Sequence, residues 1–219
     1  MNVMTSPPKP GIYARGTETV DAILKAALSV LIDEGAAAFT IRRIAARADM
    51  KVGNVSYHFP RKEMLIQVLL DELIESYGRL LEERVRRPGL SAEERLRLVI
   101  ILCLDDIRTK RTTHLFTELW ALANHDDFVA ERVQIFYRRV HDVIGEYVAQ
   151  LNPALTPDEV HTLALYISAS MEGATAFLGY GKPWSDKMDA FKMLAVKSLV
   201  ELAKTASARD IAALPEAVA

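Results

Sequence analysis

Between Thr40 and Lys62 the chain places six basic side chains, Arg42, Arg43, Arg47, Lys51, Arg61 and Lys62, against the single acid Asp49. Set among them are the Thr40 hydroxyl, the Asn54 amide and the Tyr57 and His58 rings. Cations and hydroxyls of this kind hold phosphates, whereas amide, ammonium and imidazole groups read the hydrogen-bonding edges of bases. Thr40, Arg42, Arg43, Tyr57 and Lys62 are therefore the candidate phosphate contacts. Lys51, suited to guanine O6/N7, Asn54, suited to adenine, His58, and Val52, suited to a thymine methyl, are the candidate base contacts. A solvated helical face is the plain alternative for any of these residues taken singly.

The surrounding pattern has the elements needed to position them. Thr40 is a capping residue, and Ile41, Ile44, Ala45 and Ala48 follow on one helical face. A turn at Asp49-Met50 leads into a segment that buries Met50, Val55 and Phe59 while turning Lys51, Val52, Asn54, Tyr57 and His58 outward. The result reads as a helix-turn-helix. Before it, Val20, Ile23, Leu24, Ala27, Leu28 and Leu31 define an amphipathic helix beginning at Thr17 and stopped at Gly35. After it, Pro60 excludes a helical conformation at Phe59 and separates the reading helix from a fourth one.

Charge divides unevenly along the 219 residues. The first 64 hold nine Lys/Arg against six Asp/Glu and the remainder 18 against 23, so a chain of net charge -2 carries its basic excess where the motif lies. Half the residues are hydrophobic, and the apolar spacing is helical, with capping boxes at Ser91-Ala-Glu-Glu94 and Thr156-Pro-Asp-Glu159. This predicts an all-α protein: an N-terminal three-helix helix-turn-helix head and a C-terminal helical bundle, about nine helices in all. Residues 1–16 are expected to be a mobile arm, 17–64 the DNA-binding domain, 65–204 the ligand-binding and dimerisation domain, and 205–219 a frayed tail. No apolar run approaches the roughly 18 residues of a membrane span and the N-terminus lacks signal-peptide blocks, so a soluble cytoplasmic protein is expected. Cys103, in an apolar run, reads as a reduced core thiol.

The residues Phe39-Thr-Ile-Arg-Arg-Ile-Ala-x-x-Ala48, Gly53, Tyr57-His-Phe59 and Lys62-Glu-x-Leu65 resemble the TetR family of transcriptional regulators. The resemblance implies double-stranded DNA as partner, a palindromic operator, a homodimer and a small-molecule effector, with ligand binding moving the fourth helix and releasing DNA. It implies repression rather than activation. The chain departs from the family pattern in having Asp49 where the turn usually has Gly, Lys51 where Ser or Thr usually opens the reading helix, and Ser56 in place of an aromatic residue.

In the larger half, aromatic and polar side chains interrupt apolar helices. Phe116, Glu118, Trp120, Tyr137, Met171 and Glu172 are candidates for a ligand pocket, with plain core packing the alternative for Phe116, Trp120 and Met171. A buried Glu118 or Glu172 would need a basic residue or a cationic or hydroxylated ligand. The last two long helices show apolar residues on two faces, and Ala169, Gly173, Ala176, Leu194 and Leu199 are candidates for a four-helix dimer interface. No catalytic residue, metal site or cofactor is expected. Asp105-Asp106, His125-Asp-Asp127 and His141-Asp142 lack a third ligand at fixed spacing, and Asp126 or Asp127 is better explained as a helix cap. A helical metal-dependent hydrolase and a helical adaptor protein remain as alternatives.

Overall fold

The computed structural model describes residues 14–212. Among them the chain forms ten α-helices: α1 (Ala14–Glu34), α2 (Ile41–Arg47), α3 (Val52–His58), α4 (Lys62–Arg84), α5 (Ala92–Ile107), α6 (Lys110–Ala123), α7 (Asp127–Leu151), α8 (Pro157–Leu178), α9 (Met188–Thr205) and α10 (Ala208–Ile211). Two single 3-10 turns, Ala36–Ala38 and Ser185–Lys187, complete the regular structure. No strand occurs among the described residues, so the all-α expectation holds, with ten helices in place of about nine. The expected arm at 1–16 lies outside the described residues up to position 13, and its last three residues open α1. The expected tail likewise departs from a simple frayed end. The Ser207 hydroxyl and amide both donate to the Asp210 carboxylate, at 2.6 and 2.9 Å, and this box opens α10; residues 213–219 lie outside the described part.

Two compact units emerge. The first joins the described residues up to Arg79 with His114–Phe136, and the second joins Leu80–Thr113 with the residues from Tyr137 onward. In the first, α1 buries Ile23, Leu24, Ala27, Val30 and Leu31 and packs on α2, which packs in turn on α3. Ile44 and Ala45 of α2, Val55 of α3 and Phe59 after it are buried. In the second unit α5, α8 and α9 pack together around Leu104, Tyr147, Ile167, Met171 and Leu199. Cys103 lies against this core, and desolvation raises its thiol pKa, which keeps it protonated. No helix among the described residues is long and apolar enough to cross a membrane.

Helix ends follow local chemistry. Thr40 accepts from the Arg43 amide at 3.2 Å, and Ser91 and Thr156 close capping boxes with Glu94 and Glu159. Asp126 accepts from the Phe128 and Val129 amides and caps α7. At the end of α8, Gly179 sits so tightly that a Cβ would lie 2.6 Å from the Thr175 carbonyl oxygen and 2.7 Å from Thr113 Oγ1. The same Thr113 hydroxyl donates to the Ile107 carbonyl at 2.7 Å and accepts from the Tyr180 amide at 2.9 Å.

The α2–α3 turn depends on one backbone angle. Asp49 has φ +55°, the left-handed region, and is the sole non-glycine residue with positive φ among those described. Asp tolerates this conformation better than most side chains because it lacks a branched Cβ and can hydrogen-bond locally. Asp49→Val should therefore destabilise the protein by about 1–2 kcal/mol, while Asp49→Gly stays within about 0.5 kcal/mol of wild type. Equal urea midpoints for the two variants would contradict this account of the turn.

Candidate nucleic-acid interface

The reading segment is held from behind and open in front. Val55 is fully buried and Phe59 nearly so, which fixes the rotation of α3 about its axis. On the outer side Lys51, Gly53 and Asn54 are exposed, Val52 is 46% exposed and Tyr57 82% exposed. His58 is half-buried, its ring edge-on to Tyr57 with centroids 5.1 Å apart. A Cβ built on Gly53 would meet no atom within 4 Å, so nothing inside the protein explains glycine there, where it costs helix stability. Lys51 stands at the N-cap without a side-chain capping bond, leaving its ammonium group at the surface.

The basic residues separate into two groups. Arg42, Lys51, Arg61 and Lys62 are exposed and take part in none of the ion pairs among the described residues. Arg43, expected at a phosphate, instead grips Glu34 with two hydrogen bonds, Nε–H at 2.5 Å and an Nη at 3.0 Å. Arg47 reaches Glu34 at 3.0 Å and Asp33 at 3.4 Å. The Arg43 hydrogen bond holds the Glu34 carboxyl below its usual pKa and raises that of Arg43 in return. Two of six cations are thus largely neutralised by the end of α1. The acids Asp33-Glu34 are visible in the sequence, but their pairing depends on how α1 packs on α2. Thr40 keeps its hydroxyl at the surface while its oxygen caps α2, so its O–H remains available to donate outward.

The candidate ligand residues are shared between the two units. Phe116, Glu118 and Trp120 belong to the first unit, and Tyr137, Met171 and Glu172 to the second. Phe116 is buried among aromatic neighbours, 5.2 Å from the Phe136 ring and 6.3 Å from Trp120, and Met171 is core. Glu118 is committed to the backbone, its Oε2 accepting from the Ala36 amide at 2.7 Å. Glu172 is different. Its carboxyl is desolvated on α8, with the Tyr137 hydroxyl donating to it and Asp106 as an acidic neighbour, and burial raises its pKa to about 7. His141, which stacks on Tyr137 at 6.3 Å, has its own pKa lowered by desolvation and by nearby His161.

The candidate dimer residues also divide. Ala169, Gly173 and Ala176 are exposed on α8 beside Leu165, Tyr166 and Phe177, and Leu194 is 67% exposed on α9 beside Met193. Leu199 is 5% exposed and belongs to the core of the chain itself. It stands five residues from Leu194, about 140° around the helix, so the two cannot share one stripe.

Comparison with known proteins places these features. Residues 23–69 match the family model described as bacterial regulatory proteins, tetR family, and residues 92–213 match the one described as BetI-type transcriptional repressor, C-terminal. The chain is 29% identical over 136 residues to the uncharacterized HTH-type transcriptional regulator in dhlA 5'region of Xanthobacter autotrophicus, covering 60% of this chain and 66% of that protein. The chain thus spans about two thirds of that relative's length. Among solved structures, the TetR-family regulator SCO4454 of Streptomyces coelicolor superposes with a TM-score of 0.70 at 20% identity, covering 86% of this chain and 97% of the other. A Saccharomonospora viridis protein described as a transcriptional regulator and solved in complex with choline superposes with a TM-score of 0.67 at 17% identity, covering 87% and 97%.

The Glu172 carboxyl has a signature in stability. Its folded pKa of about 7 lies above the ordinary 4.5, so between these values the native state binds more protons than the unfolded chain. Stability conferred by this group is fully present below pH 4.5 and is lost as pH rises through 7, by up to about 3 kcal/mol. Glu172→Gln should flatten urea unfolding free energies between pH 5 and pH 8, on the order of 2–3 kcal/mol at the alkaline end. Parallel pH profiles for wild type and variant would rule this out.

Proposed function

The chain belongs to the TetR family of bacterial transcriptional regulators, and on that premise we propose that it is a ligand-responsive repressor that binds a palindromic operator as a homodimer. The family is one of DNA-binding regulators, not enzymes. The observation that carries the reading is the outer face of α3: an open Gly53 flanked by exposed Val52, Asn54 and Tyr57 on a helix anchored by buried Val55. A short helix whose apolar and hydrogen-bonding side chains both face water is built to enter a groove. Residues 17–64 act as the DNA-binding head and residues 65–204 as the ligand-binding and dimerisation body. Thr40, Arg42, Tyr57 and Lys62 take phosphates, and Lys51, Val52, Asn54 and His58 face base edges. Arg43 serves mainly to hold α2 on α1 through Glu34.

Dimerisation is supported by the apolar exposure of α8 and α9. Leu165, Tyr166, Phe177, Met193 and Leu194 leave large side chains in water, with Ala169, Gly173 and Ala176 among them to permit close helix approach. The effector reading rests on Glu172 and Tyr137, a desolvated acid with a phenol donor and a second acid nearby, which suits a cationic or hydroxylated small molecule. A structural relative solved with choline is in keeping with that chemistry. Such a ligand would release DNA only as far as it binds the released state more tightly. The protein would act in the cytoplasm, where its DNA is.

Selection of bound duplexes from a random pool should return a palindrome with half-sites about 34–36 Å apart, or a multiple of that spacing. Against that duplex, Lys62→Ala should weaken binding to all sequences alike and lower the salt slope by about one unit, whereas Asn54→Ala should relax discrimination at one base pair. Unchanged binding in both variants would refute the contact assignment. Leu194→Glu, at an exposed position, should convert a sedimenting dimer to monomer without loss of helical content; a dimer that survives it would exclude this face.

A further inference from the structure

Helix α1 ends at Glu34, and Gly35, with φ +82°, turns the chain into the 3-10 turn Ala36–Ala38 that leads to α2. Had α1 continued, the Ala36 amide would donate to the Ile32 carbonyl in the usual i to i-4 bond. It does not. The Ile32 carbonyl takes a hydrogen bond from His114 Nδ1 at 2.8 Å, and the Ala36 amide donates to Glu118 Oε2 at 2.7 Å. Because a carbonyl can only accept, the proton of the imidazole contact resides on Nδ1. Two side chains one turn apart on α6 therefore supply the donor and the acceptor that a single helical bond would have supplied.

The sequence beyond the break favours the alternative. Ala36-Ala-Ala38 is a run of the strongest helix former, and Gly35 is free to adopt helical angles, so α1 has the means to extend once the two partners are withdrawn. The clamp is also close-fitting: a Cβ on Gly35 would sit 3.3 Å from Glu118 Oε1 and 3.4 Å from the carboxyl carbon. The helix carrying it is seated firmly, with Leu115, Phe116 and Leu119 buried within the same compact unit.

We infer that His114 and Glu118 are positioning residues that hold the α1–α2 junction broken, so that α6 sets the pose in which α2 and α3 meet DNA. This rests on the DNA-binding reading and adds to it a two-state element: with the clamp closed the junction turns at Gly35, and with it open α1 runs on through Ala38 and re-aims the reading helix. Any signal that displaces α6 acts on the head directly through these two bonds.

The test uses the full chain and four proteins: wild type, Glu118→Ala, Glu118→Gln and Gly35→Ala. Carbon-13 Cα shifts of residues 35–38 report the state of the junction without DNA. Specific binding to the selected palindrome and non-specific binding to a random duplex of equal length report its consequence. Glu118→Ala should move the shifts toward helical values and lower the ratio of specific to non-specific affinity by roughly tenfold, since non-specific binding depends on phosphate contacts alone. Gly35→Ala, which strains the positive-φ turn and crowds the carboxylate, should do the same by an independent route. Glu118→Gln keeps an acceptor oxygen and should restore both readouts. Simple destabilisation would lower both affinities together and leave their ratio unchanged. Unmoved shifts at 35–38 in Glu118→Ala overturn the inference whatever the DNA result, as does an unchanged affinity ratio with moved shifts. A wild-type protein with no specific binding would instead count against the regulator reading, while the shifts still decide the clamp.

Discussion

Seven residues of helix cannot stand alone in water, and both α2 and α3 are seven residues long. The proposed interface to DNA therefore depends on burial behind it, where Ile44, Ala45, Val55 and Phe59 are withdrawn from solvent in the unit built around α1. At roughly 1.5–3 kcal/mol for each large apolar side chain, this burial exceeds anything helix propensity could supply. It also determines orientation, because a helix anchored through Val55 has one choice of outward face. The polar chemistry of that face is consequently free to vary. Lys51 can dispense with a capping hydroxyl and present an ammonium group because packing already fixes the start of α3.

Electrostatics in the head serve two ends. The end of α1 carries Asp33 and Glu34, which draw Arg43 and Arg47 into ion pairs and lock α2 in place, while Arg42, Lys51, Arg61 and Lys62 remain at the surface. Such exposed pairs contribute modestly to stability, and their value here lies in geometry, since a bidentate arginine resists rotation of the helix that carries it. A charge count along the window treats all six cations as equivalent. Only the packing of one helix on another separates those that hold the head together from those that can meet phosphate.

What could be read from the residues alone was what neighbouring residues decide. The breaks at Gly35 and Pro60, the boxes at Ser91 and Thr156, the Asp126 cap and the buried Val55 and Phe59 all depend on spacings of four residues or fewer, and each lies where the spacing placed it. The box Ser207-Ala-Arg-Asp210 carries the same kind of signal, and it opens the tenth helix within the expected tail. Helices α8 and α9 each carry apolar residues on two faces, and periodicity does not say which of them meets the chain's own core, so spacing sets Leu199 beside Leu194 while packing buries it. Local sequence leaves Glu118 a candidate ligand-facing acid, because the Ala36 amide that it binds in the fold is 82 residues away in sequence.

The junction of Thr113 with Gly179 places a restriction on how this chain can drift. With a Cβ at 179 falling within 2.7 Å of the threonine oxygen and 2.6 Å of the Thr175 carbonyl oxygen, even the smallest side chain is barred, whatever residue stands at 113. That hydroxyl also ties the Ile107 carbonyl to the Tyr180 amide, so shrinking position 113 removes the link that orders the exit from α8 and still leaves the Thr175 carbonyl in the way of a side chain at 179. The two positions form a historical lock: neither substitution is tolerable as a first step, and descendants are expected to inherit the pair intact or to rebuild the whole corner.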